Sequence, residues 1–323
     1  MTDHQMTDYR DELLDTVKIL NERLWSGRAT EHAIIEWLDN FRSGVVDEDR
    51  LHALYLLAHF MYFDDRETRE LLRSMYRDLY RYPIVAAIRS RLGDTLDVDQ
   101  IHNEFLRERQ QTRFLPLGNP AESSAHLLYF FRQENELPKR LFANTHELFS
   151  RRIDDPAVGL RHPEVRRFVF VDDLCGSGSQ ALDYSKTVLP ALQMIAARDG
   201  LSLHFSYHAL FATAHGLREV EDHGLFNQVA AVNVIDESYK VFGPESRYFQ
   251  ACPPFITHLA AEAMCRLYGS RLEPSDPLGY RDSQLLLGFR HNVPDNTLPI
   301  FWSEGVAGTP WTPMFRRYKK IYG

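Results

Sequence analysis

Cysteine is scarce in this chain of 323 residues: Cys175, Cys252 and Cys265 form no CxxC pair and no even framework. A disulfide-stapled scaffold is thereby excluded, and a reduced cytoplasm is the expected setting. No window approaches the ~20 apolar residues that a membrane helix needs, and the acidic, polar stretch from Met1 to Asp8 does not read as a signal peptide. Positive charge is also in deficit, with 37 Lys and Arg against 45 Asp and Glu, a net charge of −8. That balance argues against broad electrostatic binding of nucleic acid, although a local basic face is still compatible with it. There is no HExxH, no paired Cys/His ligand set, no GxSxG and no Gly-Lys-Ser/Thr of a Walker loop. His204 and His208 share one strand face, but at ~3.3 Å per residue they stand about 13 Å apart, too far to share a metal.

What is present is ordinary globular composition, 44% hydrophobic and 25% charged, without internal repeats or low-complexity tracts. Up to about residue 112 the pattern is helical. Leu13, Val17, Leu20 and Leu24 fall on one helical face, Ile34, Ile35, Leu38 and Phe41 mark a second helix, and Leu51 to Phe63 is apolar nearly all round. Asp64 and Asp65 open a further helix, bearing Leu72, Met75 and Tyr80, that Pro83 should end. Its other face carries Arg69, Arg73 and Arg77, a stripe suited to a partner's acids or RNA phosphates or, more simply, to pairing with Glu70 and Asp78. The change of pattern at Gln110 to Thr112 suggests a helical region 1–112 followed by an α/β domain 113–323.

In that second part strands and helices alternate, which favours a parallel sheet. Phe114 to Leu117 reads as a short strand, Gly118 to Ser124 as a turn and His126 to Arg132 as a helix. Leu203 to Phe211, Val229 to Ile235 and Gln284 to Phe289 read as strands, and Cys252 to Tyr268 as a helix. The centre is Phe168 to Val171, an unbroken apolar run of the kind a doubly covered strand tolerates. Asp172 and Asp173 should end it, a Gly/Ser loop follows, and a helix from Ala181 to Arg198, kinked at Pro190, comes next. Strand, loop and helix in this order aim backbone N–H groups and a positive helix end at one spot, a means of holding phosphate.

Apolar strand, Asp172-Asp173, then Gly176-Ser-Gly-Ser-Gln180 resembles the phosphoribosyl pyrophosphate signature of type I phosphoribosyltransferases. It departs from that signature at Gly176 and Gln180, where threonines are usual, and at Cys175, where a branched aliphatic is usual. The resemblance implies that Asp172 and Asp173 hold ribose and act in catalysis, while Gly176, Ser177, Gly178, Ser179 and Gln180 hold the 5′-phosphate. Gly118 to Ser124 and His291 to Trp302 are further similar to a divergent phosphoribosyltransferase-like family of bacterial conflict and antiphage systems, over roughly residues 50 to 302. By that resemblance Ser123, Ser124 and Arg132 lie near the pyrophosphate leaving group, and Asn292, Asp295 and Asn296 read an acceptor base. Helix capping by Ser123 or Ser124 and a plain turn at Asn292 to Asn296 account for the same residues equally well.

The implied fold is an α/β, parallel-sheet type I phosphoribosyltransferase-like core preceded by an α-helical N-terminal region. The implied activity is magnesium-assisted transfer from phosphoribosyl pyrophosphate to a base, nucleotide or RNA. Such a toxic effector would be restrained by a defence-cassette partner, in a retron a reverse transcriptase with its nucleic acid. Two alternatives stay open: a nucleotide sensor of the same fold without turnover, and an S-adenosylmethionine-dependent methyltransferase. The last rests on Asp173 to Ser179 and on Cys252-Pro-Pro-Phe255, where Cys252 replaces a far better hydrogen-bond acceptor and the adenosine-holding acid is missing.

Overall fold

Thr30 caps the helix that follows it, its side chain accepting from the Ala33 N–H at 3.2 Å. A computed structural model describes residues 3–118, 123–151, 158–306 and 309–317. Helices α1 (Asp3–Arg23), α2 (Glu31–Leu38) and α3 (Val46–Ala58) come first, and α3 is buried without a break from Leu51 to Leu57. The apolar run does not stay helical to Phe63, for Met61–Phe63 is a strand, β1. Next come α4 (Asp65–Ser74), a π-helical stretch Met75–Arg81 and α5 (Tyr82–Arg91). Pro83 ends nothing here: it sits in the first turn of α5, where its missing N–H leaves no bond unmade. The wide π turn before it buries Met75, Tyr76 and Tyr80 together.

Helix α6 (Val98–Gln110) gives way to strand at Thr112, where the pattern of the sequence changes. Strand β2 (Thr112–Pro116), helix α7 (Ser123–Glu134) and a hairpin of β3 (Phe149–Arg151) and β4 (Val158–Leu160) lead to β5 (Arg167–Cys175). Helix α8 (Ser179–Asp199), β6 (His204–Thr213), α9 (Ala214–Asp222) and β7 (Gln228–Ile235) complete an α/β alternation. The sheet is wholly parallel in the order β2-β5-β6-β7. Helix α8 buries Ala181, Ser185, Val188, Leu192 and Ile195, a stripe at three- and four-residue spacing that with Leu182 and Leu189 covers Phe168, Phe170 and Tyr207 of the sheet. It continues past Pro190 to Asp199.

The chain forms two compact units, residues 69–235 and residues 1–68 with 236–323. The change from helix to strand at Gln110 and Thr112 falls inside the first of these. In the second unit, α10 (His258–Leu272) begins six residues later than the expected Cys252, capped by Thr257. Strand β8 (Leu287–Phe289) of this unit pairs in parallel with β1. Trp37 stacks on Phe301 there, and Tyr268 donates to the buried Asp49 carboxylate at 2.7 Å. Among the described residues no helix is long and apolar enough to cross a membrane.

Candidate functional site

Strand β5 does not stop at the acidic pair but runs on to Cys175, so Asp172 and Asp173 are strand residues. Asp172 is only 5% exposed. One of its carboxylate oxygens accepts from the Tyr207 hydroxyl at 2.8 Å, and the other from the Asp173 backbone N–H at 3.0 Å. Burial, reinforced by the Asp173 charge, pushes the Asp172 carboxyl well above the usual carboxylate range, against the pull of the Tyr207 hydrogen bond. Burial likewise pushes the Cys175 thiol up to about 12. Asp172, Tyr207 and Cys175 are thus an interior group under the loop, while Asp173 is half-buried and accepts from the Leu174 N–H at 2.9 Å.

The loop from Gly176 to Gly178 delivers the chain to the first turn of α8. Gly178 stands at φ 76°, a left-handed conformation that glycine enters without strain. The Ser177 and Ser179 hydroxyls lie 3.0 Å apart, and Gln180 is exposed on the same turn. A support that local sequence pattern does not announce holds this loop in place. The Thr213 hydroxyl donates to the Gly176 carbonyl at 2.6 Å and accepts from the Gly216 N–H at 2.9 Å. At Gly216 a Cβ would come within 2.2 Å of the Gly176 carbonyl oxygen, so backbone touches backbone here. Thr213 is legible as a helix cap, but its second bond reaches 37 residues back along the chain.

Chemically, the N-terminal end of a 21-residue helix, two hydroxyls and a glycine loop are groups that can hold an anion, and Asp173, three residues ahead of Gly176, carries a carboxylate that can accept from a hydroxyl. Helix α7 packs against β2 and β5 in the same unit. Arg132 on α7 is half-buried, its guanidinium 5.7 Å from the Tyr129 ring centre. Ser123 and Ser124 open that helix, but their side chains lie outside the described residues, as do residues 119–122 of the turn before them.

Residues 34–317 match the PRTase-CE family. The chain belongs to that family. The fold agrees with it, a parallel-sheet, type I phosphoribosyltransferase-like α/β core with a helical region before it. No curated protein gives a match. Among solved structures, orotate phosphoribosyltransferase from Aeropyrum pernix is similar at 10% identity and a TM-score of 0.24, over 43% of this chain and 78% of that one. The AQ2163 protein from Aquifex aeolicus is similar at 12% identity and a TM-score of 0.27, over 64% of this chain and 83% of that one.

In this PRTase-CE chain the three acceptor candidates belong to the other compact unit, 1–68 with 236–323. Asn296 is buried and donates its amide to the Ser283 hydroxyl at 2.8 Å, and Asp295 pairs with Arg317 at 2.9 Å. Asn292 is half-buried. The segment from Asn296 to Trp302 lies in that unit's core, with the Trp302 indole donating to the Thr297 carbonyl at 2.8 Å. Cys252 belongs to the same unit and directs its thiol to the Phe249 and Ile256 carbonyls at 3.4 and 3.1 Å. The arginine stripe is paired as the simpler expectation has it, Arg73 with Glu70 and Arg77 with Asp78, while Arg69 and Arg73 also grip Glu134. Among the described residues no group of three or more His, Cys, Asp or Glu side chains could hold a metal.

Proposed function

We propose that this protein transfers a phosphoribosyl group from phosphoribosyl pyrophosphate to a base, nucleotide or RNA. The observation that carries the reading is the half-buried Asp173 near the end of β5, three residues ahead of the glycine loop that leads into the hydroxyl-bearing first turn of α8. In this reading the loop N–H groups and the Ser177 and Ser179 hydroxyls take the 5′-phosphate, and Asp173 accepts from a ribose hydroxyl. Asp172 acts from beneath, fixing the strand end through Tyr207 and the Asp173 N–H. Positive charge that develops at the anomeric carbon is stabilised by the Asp173 carboxylate. Magnesium would take most of its oxygen ligands from the diphosphate, with Asp173 the adjoining carboxylate of the chain, and would offset the leaving group's charge. Arg132, Ser123 and Ser124 are assigned to the pyrophosphate, and Asn292, Asp295 and Asn296 to the acceptor, by family resemblance. The same resemblance supports a role as an antiphage effector restrained by a cassette partner.

Calorimetry with phosphoribosyl pyrophosphate plus magnesium, and separately with S-adenosylmethionine, tests the reading. Binding of the first and not the second is expected, and tight binding of S-adenosylmethionine alone would overturn it. A sensor without turnover is the second reading, favoured by the burial of Asp172, which leaves only Asp173 of the pair accessible. Ligand binding without pyrophosphate release across a panel of bases, nucleosides and RNA would decide for the sensor.

A further inference from the structure

At the other end of β5 from the loop lies a cavity of about 460 Å³, within the range of small-molecule sites. Phe168 in its wall and Cys175 at the loop are seven residues apart on the strand, roughly 23 Å at about 3.3 Å per residue. Three guanidiniums line it, Arg113, Arg140 and Arg161, in a chain whose net charge is −8. Arg113 is 94% buried, and its Nη1 donates to the Thr112 carbonyl at 2.9 Å and the Gln110 carbonyl at 3.2 Å. Its Nη2 has only a long contact, 3.4 Å, with the exposed Glu164. Burial holds the Arg113 guanidinium below its ordinary range, and repulsion from Arg140 acts in the same direction, against Glu164.

The carboxylates in the wall are already engaged. Glu147 accepts from the Asn144 N–H at 2.8 Å, and Glu164 serves both Arg113 and His162. Arg140 and Arg161 are exposed and have no carboxylate partner among the described residues. Half-buried Phe142 adds an apolar face to the same cavity. Two guanidiniums without a described counter-ion, a third that is buried and holds its only carboxylate, Glu164, at 3.4 Å, and an aromatic face beside them are the chemistry that recognises a phosphate carried on a flat base.

We propose that this cavity is a second binding site, for a phosphorylated small molecule of mononucleotide size. It is independent of the loop, and its failure would leave the reading of Asp173 intact. The probes are AMP, ribose 5-phosphate and inorganic phosphate, titrated by calorimetry into the full chain carrying Asp173→Asn, which weakens ribose binding at the loop. AMP is expected to bind that variant, and adding Arg140→Ala and Arg161→Ala is expected to weaken binding 10- to 100-fold. Because both arginines are exposed and bear no described ion pair, the melting temperature should hold; Arg140→Lys with Arg161→Lys, which keeps the charge and loses the fork, should retain part of the affinity. AMP binding that survives both alanines, or that Asp173→Asn abolishes, would overturn the proposal. So would binding of none of the three probes, or arginine-dependent binding of an RNA oligomer alone.

Discussion

Asp172 and Asp173 are neighbours on one strand in opposite environments, and the difference can be measured. An Asn at 172 can still accept from Tyr207, but its amide nitrogen would then face the Asp173 N–H, donor against donor. Asp172→Asn is therefore expected to lower unfolding free energy by about 1 to 3 kcal/mol in a denaturant titration. Asp173→Asn should leave that titration unchanged and weaken phosphoribosyl pyrophosphate binding ~10- to 100-fold, the worth of one charge-assisted hydrogen bond. Equal binding by wild type and Asp173→Asn would remove that residue from the site. The thiols differ in a similar way: Cys175 and Cys265 are buried with raised pKa values, and Cys252 is half-buried. Alkylation of the native protein at pH 8 followed by mass spectrometry should label Cys252 alone.

Among the elements, the first turn of α9 is the one that shapes the loop. Gly216→Ala would drive a methyl into the Gly176 carbonyl, and Thr213→Val would remove two hydrogen bonds at once. Both variants should bind phosphoribosyl pyrophosphate at least tenfold more weakly, and Thr213→Val should also lose about 1 to 3 kcal/mol of stability. Undiminished binding by Gly216→Ala would show that the loop does not depend on this support. The strands through Phe168 and Phe205 were legible because β-branched and aromatic runs buried on both faces have few other homes, and half-buried β7 because of its β-branched residues Val229, Val232, Val234 and Ile235. The extent of β5 was not, since Asp172-Asp173 reads as an end unless Tyr207 is known to lie beside it. Pro83 misled for a related reason: whether a proline stops a helix depends on the π turn that precedes it, which no local pattern signals. Of the candidate site, the loop residues were legible from the order of strand, loop and helix, whereas Thr213 and Gly216 act through contacts remote in sequence.

At the scale of the whole molecule, buried histidines tie stability to pH. Burial pushes His208 down to about 4, and its Nε2 has no hydrogen-bond partner among the described residues. A group whose folded pKa lies below its unfolded value of about 6.5 contributes stability above 6.5 that is lost as pH falls through the folded value. Complete loss would be worth about 3 kcal/mol. Asp172, shifted upward, works in the opposite sense, so the comparison of wild type with His208→Leu isolates the histidine. Unfolding free energy should fall more steeply between pH 6.5 and 4 for wild type than for His208→Leu. Parallel curves would assign the acid sensitivity elsewhere.

Pairing of β1 with β8 joins residues 61–63 to residues 287–289. A growing chain must therefore carry Trp25, Trp37 and Leu51 to Leu57 without their final partners until the second strand has been made. At ~5–20 residues per second that wait lasts roughly 10 to 45 s. Residues 69–235 meet no such delay, since every strand of their sheet is complete once Ile235 has emerged. Nascent chains stalled well beyond Ile235 but short of Leu287 should thus resist protease over 69–235 while being cut before residue 69. The N-terminal helices of such chains expose apolar surface of the kind that chaperones cover during synthesis.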